Sequence, residues 1–423
     1  MTSRSLTRFL ATSALLVLAL GFGAESVLAS SGAPAPLPVD TWTALGAIPG
    51  PRDTPVFALA AGPSGRDLLV GAADGGIYRS LDGGARWTRV RRPDGRAVAS
   101  IAFSPFTAGL ALAGTQGDGV LTSTDGGASW RPDAGSAGTT VRGFGFARSA
   151  TLAGTDQGVM LKLDGGAWSS DGLARLSVST VAAAVSDHAL LLAGGDASTG
   201  QEGLPLYASS DGGATWTALE APPSAGSMVS VLAAGPRPPG TGDRPLLLGT
   251  NSGAFESSDN GATWSPLSAL PSTDINQAIF VGAHPDRFYL ASDGGGAAGG
   301  GLWYTGDGGH SFRSLAPPFH SVTALAVNGD QAPTVYVATF GAADHATTLW
   351  AYHDLGGKPK GPAAARVTVS TAGARRAGAP RPQPLDWKLA LARGPEAPYL
   401  ALGAAALLVL LIALGAYVAR GRA

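Results

Sequence analysis

Cysteine is absent from the chain, which removes disulfides, thiolate metal sites and cysteine nucleophiles together. Charge is sparse: Asp, Glu, Lys and Arg make up 14% of 423 residues, and the formal net charge is -1. A basic excess of the kind that grips a phosphate backbone is therefore missing, and no nucleic-acid partner is expected. The glycine runs around Gly294 and Gly299 are not followed by Lys-Ser/Thr or a helical pattern, so neither is a phosphate loop. Histidines are few, and His310, His320, His345 and His353 lack ligand spacing. Neither a metal nor a cofactor is expected. What is abundant is glycine, 62 residues, and proline, 30, beside 45% hydrophobic residues. That combination fits a packed core divided into many short elements, and it argues against an all-helical chain.

Both ends read as membrane signals. Arg4 and Arg8 precede an apolar stretch from Phe9 to about Phe22, then Val27-Leu28-Ala29, which marks residues 1–29 as a secretory signal peptide. An uncleaved anchor is the alternative, though the run is short for spanning. Tyr399 to Ala419 carries no charge and is followed by Arg420 and Arg422, the pattern of a single transmembrane helix (399–419) with a short cytoplasmic tail (420–423). A processed sorting tail is a second reading of Pro395-Glu396-Ala397-Pro398 with the apolar run and arginines after it. Residues 355–398, rich in Pro, Gly, Ala and Arg, read as an extended stalk with a net charge of +6. Ser30 to Asp354 holds 17 basic and 27 acidic residues, a net of -10. An acidic exoplasmic head, extracellular or periplasmic and expected to be monomeric, thus stands on a basic tether.

Within the head an octet recurs: SLDGGARW (Ser80 to Trp87), STDGGASW (Ser123 to Trp130), SSDGGATW (Ser209 to Trp216) and SSDNGATW (Ser257 to Trp264). KLDGGAW, ending at Trp168, is one residue short, and TGDGGHSF ends at Phe312. The aspartates Asp82, Asp125, Asp164, Asp211, Asp259 and Asp307 lie 39 to 48 residues apart, one four-stranded propeller blade per repeat. Each unit holds three apolar segments before the octet's turn and one after it, strands A to D. The turn then sits between C and D. Its Asp can accept backbone N–H groups, its Gly supplies positive φ, and its Trp can wedge between blades. A seventh, degraded unit places Asp354 at the box position but has no Trp after it. Trp42-Thr43-Ala44-Leu45 matches Trp216-Thr217-Ala218-Leu219, so the N-terminal segment is expected to supply the outer strand of the last blade. The expected fold is an all-β, seven-bladed propeller over residues 30–354.

The octets resemble the Asp-box, or bacterial neuraminidase repeat, pattern Ser-x-Asp-x-Gly-x-x-Trp. That resemblance covers nearly the whole head and implies the propeller fold, while leaving function open: sialidases, xyloglucanases, sortilin ectodomains and photosystem II stability and assembly factors are all similar in this respect. The dense spacing with few insertions looks most like the assembly factors. A sialidase-like activity would call for an Arg-Ile-Pro motif early in the first blade, whereas here Ile48-Pro49 follows Ala47 and the nearest arginine is Arg52.

The candidate site residues lie on loops. Asp74, Asp118, Asp156, Asp196, Asp293 and Asp344 fall in B to C loops, as a possible carboxylate ring around the channel mouth or simply as turn-formers beside glycine. Arg89, Arg91, Arg92 and Arg96 cluster in WTRVRRPDGR, either to dock an acidic group or to solvate an edge. As a hydrolase pair, Asp53 or Glu202 with a ring aspartate is the weak catalytic candidate. The favoured role is a binding or assembly scaffold for a protein or carbohydrate, with a cell-surface glycoside hydrolase as the contrasting one.

Overall fold

The structure is a computed structural model that describes residues 36–49, 54–170, 172–183, 190–196, 203–221, 223–238, 240, 244–295, 299–329, 331–341 and 346–362. Residues 1–29, read above as a signal peptide, most of 355–398, read as a stalk, and residues 399–423 lie outside them, as do Asp53, Glu202 and Asp344. Among the described residues, no helix is long and apolar enough to cross a membrane.

Seven four-stranded antiparallel sheets follow one another as the blades of a propeller. In the first, strands A to D are Val56–Ala61, Leu68–Ala72, Ile77–Ser80 and Thr88–Arg91. Blades two to six repeat that order, and the A strands of successive blades touch around a ring that returns from Val322–Asn328 to Val56–Ala61. In the seventh sheet Trp42–Ala44 lies outermost against Ala346–His353, with Trp42 opposite Tyr352 and Ala44 opposite Trp350. The first strand of the chain thus closes the last blade by supplying its outer strand, and all seven blades are four-stranded. Past Asp354 the chain stays on the body: Lys360 N donates to Asp40 O at 2.8 Å, so residues 355–362 pack beside the closing strand.

The core divides into seven clusters, each shared by two neighbouring blades. One aromatic from the D side of the later blade enters each: Trp87, Trp130, Trp168, Trp216, Trp264, Phe312 and, at the closure, Trp42. Trp42 is fully buried and donates from Nε1 to Leu315 O at 2.7 Å. A second packing device is a glycine in strand B. A Cβ on Gly71 would lie 2.4 Å from Val98 Cγ1, and one on Gly194 2.4 Å from Val229 Cγ1. The first valine of the next blade's inner strand therefore occupies the space that the missing side chain leaves.

The box turns are held by a repeated network. Ser80 Oγ donates to Asp82 Oδ1 at 2.9 Å and accepts from Gly84 N at 2.8 Å, while Asp82 Oδ1 accepts from Arg86 N at 2.9 Å. Gly83 and Gly84 take φ of 72° and 88°, left-handed values that favour glycine. The same network recurs around Asp125, Asp211, Asp259 and Asp307. In these four a Ser or Thr hydroxyl four residues on also donates to the carboxylate. That hydroxyl is the first cause holding each acid below its ordinary value, and Asp211 and Asp307 are lowered to about 2. The short third box differs: Asp164 N donates to Ser149 O, and Lys162, in the serine's place, pairs with Asp133.

Candidate binding face at the channel mouth

Strand connections alternate between two faces. The A to B loops and box turns meet on one, where Gly83 N donates to Arg66 O, and the B to C and D to A loops meet on the other, where Asp94 N donates to Asp74 O. On this second, loop-rich face opens the central channel, a cavity of about 230 Å³ to which all seven inner strands contribute residues.

The inner strands begin alike and then diverge. Val56, Val98, Val141, Val178, Val229 and Val322 each pair with strand B, the following residue is skipped in the register, and pairing resumes. Such a bulge re-aims the skipped side chain. The skipped residues are Phe57, Ala99, Arg142, Ser179, Ser230 and Thr323; in blade six, where Ile275 takes the valine's place, Asn276 stands there. All but Thr323 line the channel. A constant valine frame thus displays one variable residue per blade at the mouth. Phe57 is 47% exposed, a large apolar group held open to solvent. Between neighbouring blades, Arg142 reaches from blade three to Asp196 in blade four, Nη1 to Oδ2 at 3.1 Å.

The described members of the proposed aspartate ring are already engaged. Asp74 Oδ1 accepts from Gly76 N at 2.9 Å, Asp156 Oδ1 from Thr140 N at 2.9 Å, and Asp293 Oδ1 from Gly295 N at 3.2 Å. Asp196 also accepts from Ser177 Oγ. The bonds of Asp74 and Asp293 are those of tight turns, whereas Asp156 and Asp196 tie their B to C loops to the D to A loops beside them. The arginine cluster is likewise divided. Arg89 and Arg91 belong to strand D rather than to the loop after it. Arg91 pairs with Asp94 and donates to Gly75 O, and Arg96 pairs with Asp118 at 3.1 Å. Burial opposes ionisation of Asp94, but hydrogen bonds from Arg91 and the Arg96 amide outweigh it and hold its carboxyl below the ordinary value. Two sets expected to act separately, the acids and the arginines, therefore neutralise each other in part, and Arg89, Arg92 and Arg96 remain exposed on the rim.

One pair of acids is in close contact. Burial and a hydrogen bond with Asp274 push Asp293 above its ordinary value, the arrangement of two carboxyls sharing a proton. Ser292 Oγ donates to Asp274 Oδ1 at 2.8 Å and anchors it. Carboxyls in direct contact leave no room between them for a sugar ring, whereas glycosidases hold theirs about 5 to 9.5 Å apart. Asp53 and Glu202, the other half of the sequence-based hydrolase pair, fall outside the described residues. Among the described residues no group of three His, Asp or Glu side chains is arranged to hold a metal ion.

Compared with protein-family models and with curated proteins, the sequence finds no match. Among solved structures, YCF48 bound to D1 peptide is similar at 15% identity and a TM-score of 0.53, over 74% of this chain and 96% of that one. YCF48 from Cyanidioschyzon merolae matches at 16% identity and 0.49, over 74% and 98%. The GH74 enzyme of Niastella koreensis matches at 20% identity and 0.36, over 68% of this chain and 45% of its own length. The first of these likenesses shows a shared propeller fold.

Proposed function

We propose that the protein is a binding scaffold whose channel mouth recognises a segment of another protein, carried on a membrane by residues 399–419 with the head on the exoplasmic side. The observation that carries this reading is the ring of bulged residues, in which a frame of valines and one isoleucine presents Phe57, Arg142 and four smaller side chains around one opening. An exposed aromatic and a guanidinium lining one opening are the residue types of an interface hot spot. The ionic groups of this face are paired, Arg142 of blade three with Asp196 of blade four and Arg96, on the loop between blades one and two, with Asp118 of blade two, and a partner's charges can exchange with them. YCF48, whose fold this chain shares, has been seen with a D1 peptide, and peptide binding is carried over from it as an analogy.

The test is selection of peptides from a displayed library by the full chain, followed by affinity measurement for the best one. Phe57→Ala and Arg142→Glu should each weaken it about tenfold or more, as central anchors do, with the melting temperature unchanged. Selected peptides that bind both variants as tightly as the parent would place recognition elsewhere. The contrasting reading, a glycoside hydrolase using Asp53 or Glu202, predicts turnover of aryl glycosides or polysaccharides that Asp53→Asn or Glu202→Gln abolishes. Such turnover would overturn the scaffold reading.

A further inference from the structure

The interface between blades six and seven breaks the repeat on the turn face, opposite the channel mouth. In blades one to five the strand B residue at this level is a leucine: Leu69, Leu112, Leu152, Leu192 and Leu247. Blade six has Tyr289 there, with Tyr304 and Arg313 beside it in strands C and D. Leu69 packs where a Cβ on Gly127 of the next box would stand, 2.5 Å away. Blade seven offers Asp354, and Tyr289 Oη donates to its Oδ2 at 2.8 Å.

Around this departure lies a cleft of about 210 Å³, lined by Val281, Arg287, Tyr289, Tyr304, Arg313 and Asp354 among others. That is smaller than the roughly 300 to 1,000 Å³ of drug-sized sites, and it suits one sugar ring or one amino-acid side chain. Its charges do not cancel. Arg313 gives two hydrogen bonds to Asp354, at 2.7 and 2.8 Å, and stacks over Tyr304, 5.2 Å to the ring centroid. Arg287, on the A to B loop of blade six, has no ion pair or side-chain hydrogen bond among the described residues, and the Tyr304 hydroxyl has no hydrogen bond among them. One positive charge and one hydroxyl donor therefore face a polar cavity beside an aromatic ring, at a level where the first five blades place leucine.

We propose that this cleft is a second binding site, independent of the channel mouth, for a small carboxylate. Arg287 pairs with the carboxylate, the Tyr304 hydroxyl donates to it or to an adjacent oxygen, and the network of half-buried Arg313 with buried Asp354 and Tyr289 fixes the floor. An acidic sugar and an acidic amino-acid side chain both carry this group, and the experiment separates them. Saturation-transfer NMR with the purified full chain is run with glucuronate against glucose, and with N-acetylglutamate against N-acetylglutamine. At least one acid should bind about tenfold or more tightly than its neutral counterpart, and the better acid identifies the source. Arg287→Ala should weaken that acid about tenfold with an unchanged melting temperature, Arg287→Lys should lose less, and Tyr304→Phe should weaken it about threefold. The proposal is overturned if neither acid outcompetes its neutral counterpart. It also fails if Arg287→Ala binds the acid as well as the parent does.

Discussion

Asp259 and Asp354 occupy the same place in their repeats and have different partners. Asp259 closes its own turn: it accepts from Thr263 N at 2.8 Å and from Ser257 and Thr263 hydroxyls, all within four residues. Asp354 accepts Gly356 N locally, but its other partners, Arg313 and Tyr289, come from the neighbouring blade. The serine that steadies a regular box is replaced by Tyr352, which is wholly buried; burial, then the Asp354 charge, push its hydroxyl up to about 12. A turn device has become a link between blades at the place where the two ends of the propeller chain meet. Ring closure demands strength at that interface, because no covalent continuity runs from Trp42–Ala44 to the blade it completes.

The largest effect that would test this contrast is at the closing aromatic. Trp42→Ala removes a fully buried ring and should cost about 3 to 5 kcal/mol, read by urea denaturation. Trp130→Ala, at a partly exposed ring in a covalently continuous blade, should cost less; equal losses would mean that the closure has no special weight. Next, Asp354→Ala strands a half-buried guanidinium and a buried phenol and should cost about 3 kcal/mol. Asp259→Ala should cost about 1 kcal/mol, the worth of local turn bonds. A smaller loss at Asp354 than at Asp259 would refute the interblade link.

Below these stands the glycine of strand B. Gly194→Ala sets a methyl 2.4 Å from Val229 Cγ1 and should cost about 1 to 3 kcal/mol by overpacking. Replacing Val229 by Ala in the same chain should recover part of the loss, and a neutral Gly194→Ala would mean that the blades slide apart without penalty.

Much of this architecture is legible in the residues, because the repeat is local. The octets place six box turns, and the match of Trp42-Thr43-Ala44-Leu45 to Trp216-Thr217-Ala218-Leu219 identifies the closing strand from side chains alone. Contacts between blades are not legible in that way. Nothing near Asp354 in sequence names Arg313 or Tyr289, 41 and 65 residues away, and the pairing of Arg96 with Asp118 dissolves an arginine cluster that looks free when read along the chain. The bulged ring was available as a pattern: each inner strand opens on Val or Ile, and the next residue varies without regard to hydrophobic alternation. Spacing reveals what is constant between repeats, whereas recognition lies in what differs at one position of each.

The smallest effect concerns pH and separates the box acids of the turn face from the buried acid pair Asp274–Asp293 by sign. On the turn face, Asp211 and Asp307 are lowered to about 2, chiefly by the hydroxyl four residues on, against about 3.9 in an unfolded chain. The folded protein binds those protons less readily than the unfolded one, so their contribution is present above about pH 4 and is lost as pH falls toward 2. On the loop face, Asp293 is raised by burial and by its bond with Asp274. There the folded state holds the proton more tightly, and that contribution is present below the unfolded value and lost as pH rises through the folded one. Thermal melts should therefore show Asp211→Asn lowering stability at pH 7 and converging on the parent near pH 2. Asp293→Asn, which removes a charge that burial disfavours, should leave stability equal or higher at pH 7. Loss of stability at pH 7 in Asp293→Asn comparable to that in Asp211→Asn would place both acids in the same turn-holding class and erase the distinction between the box acids and the buried pair.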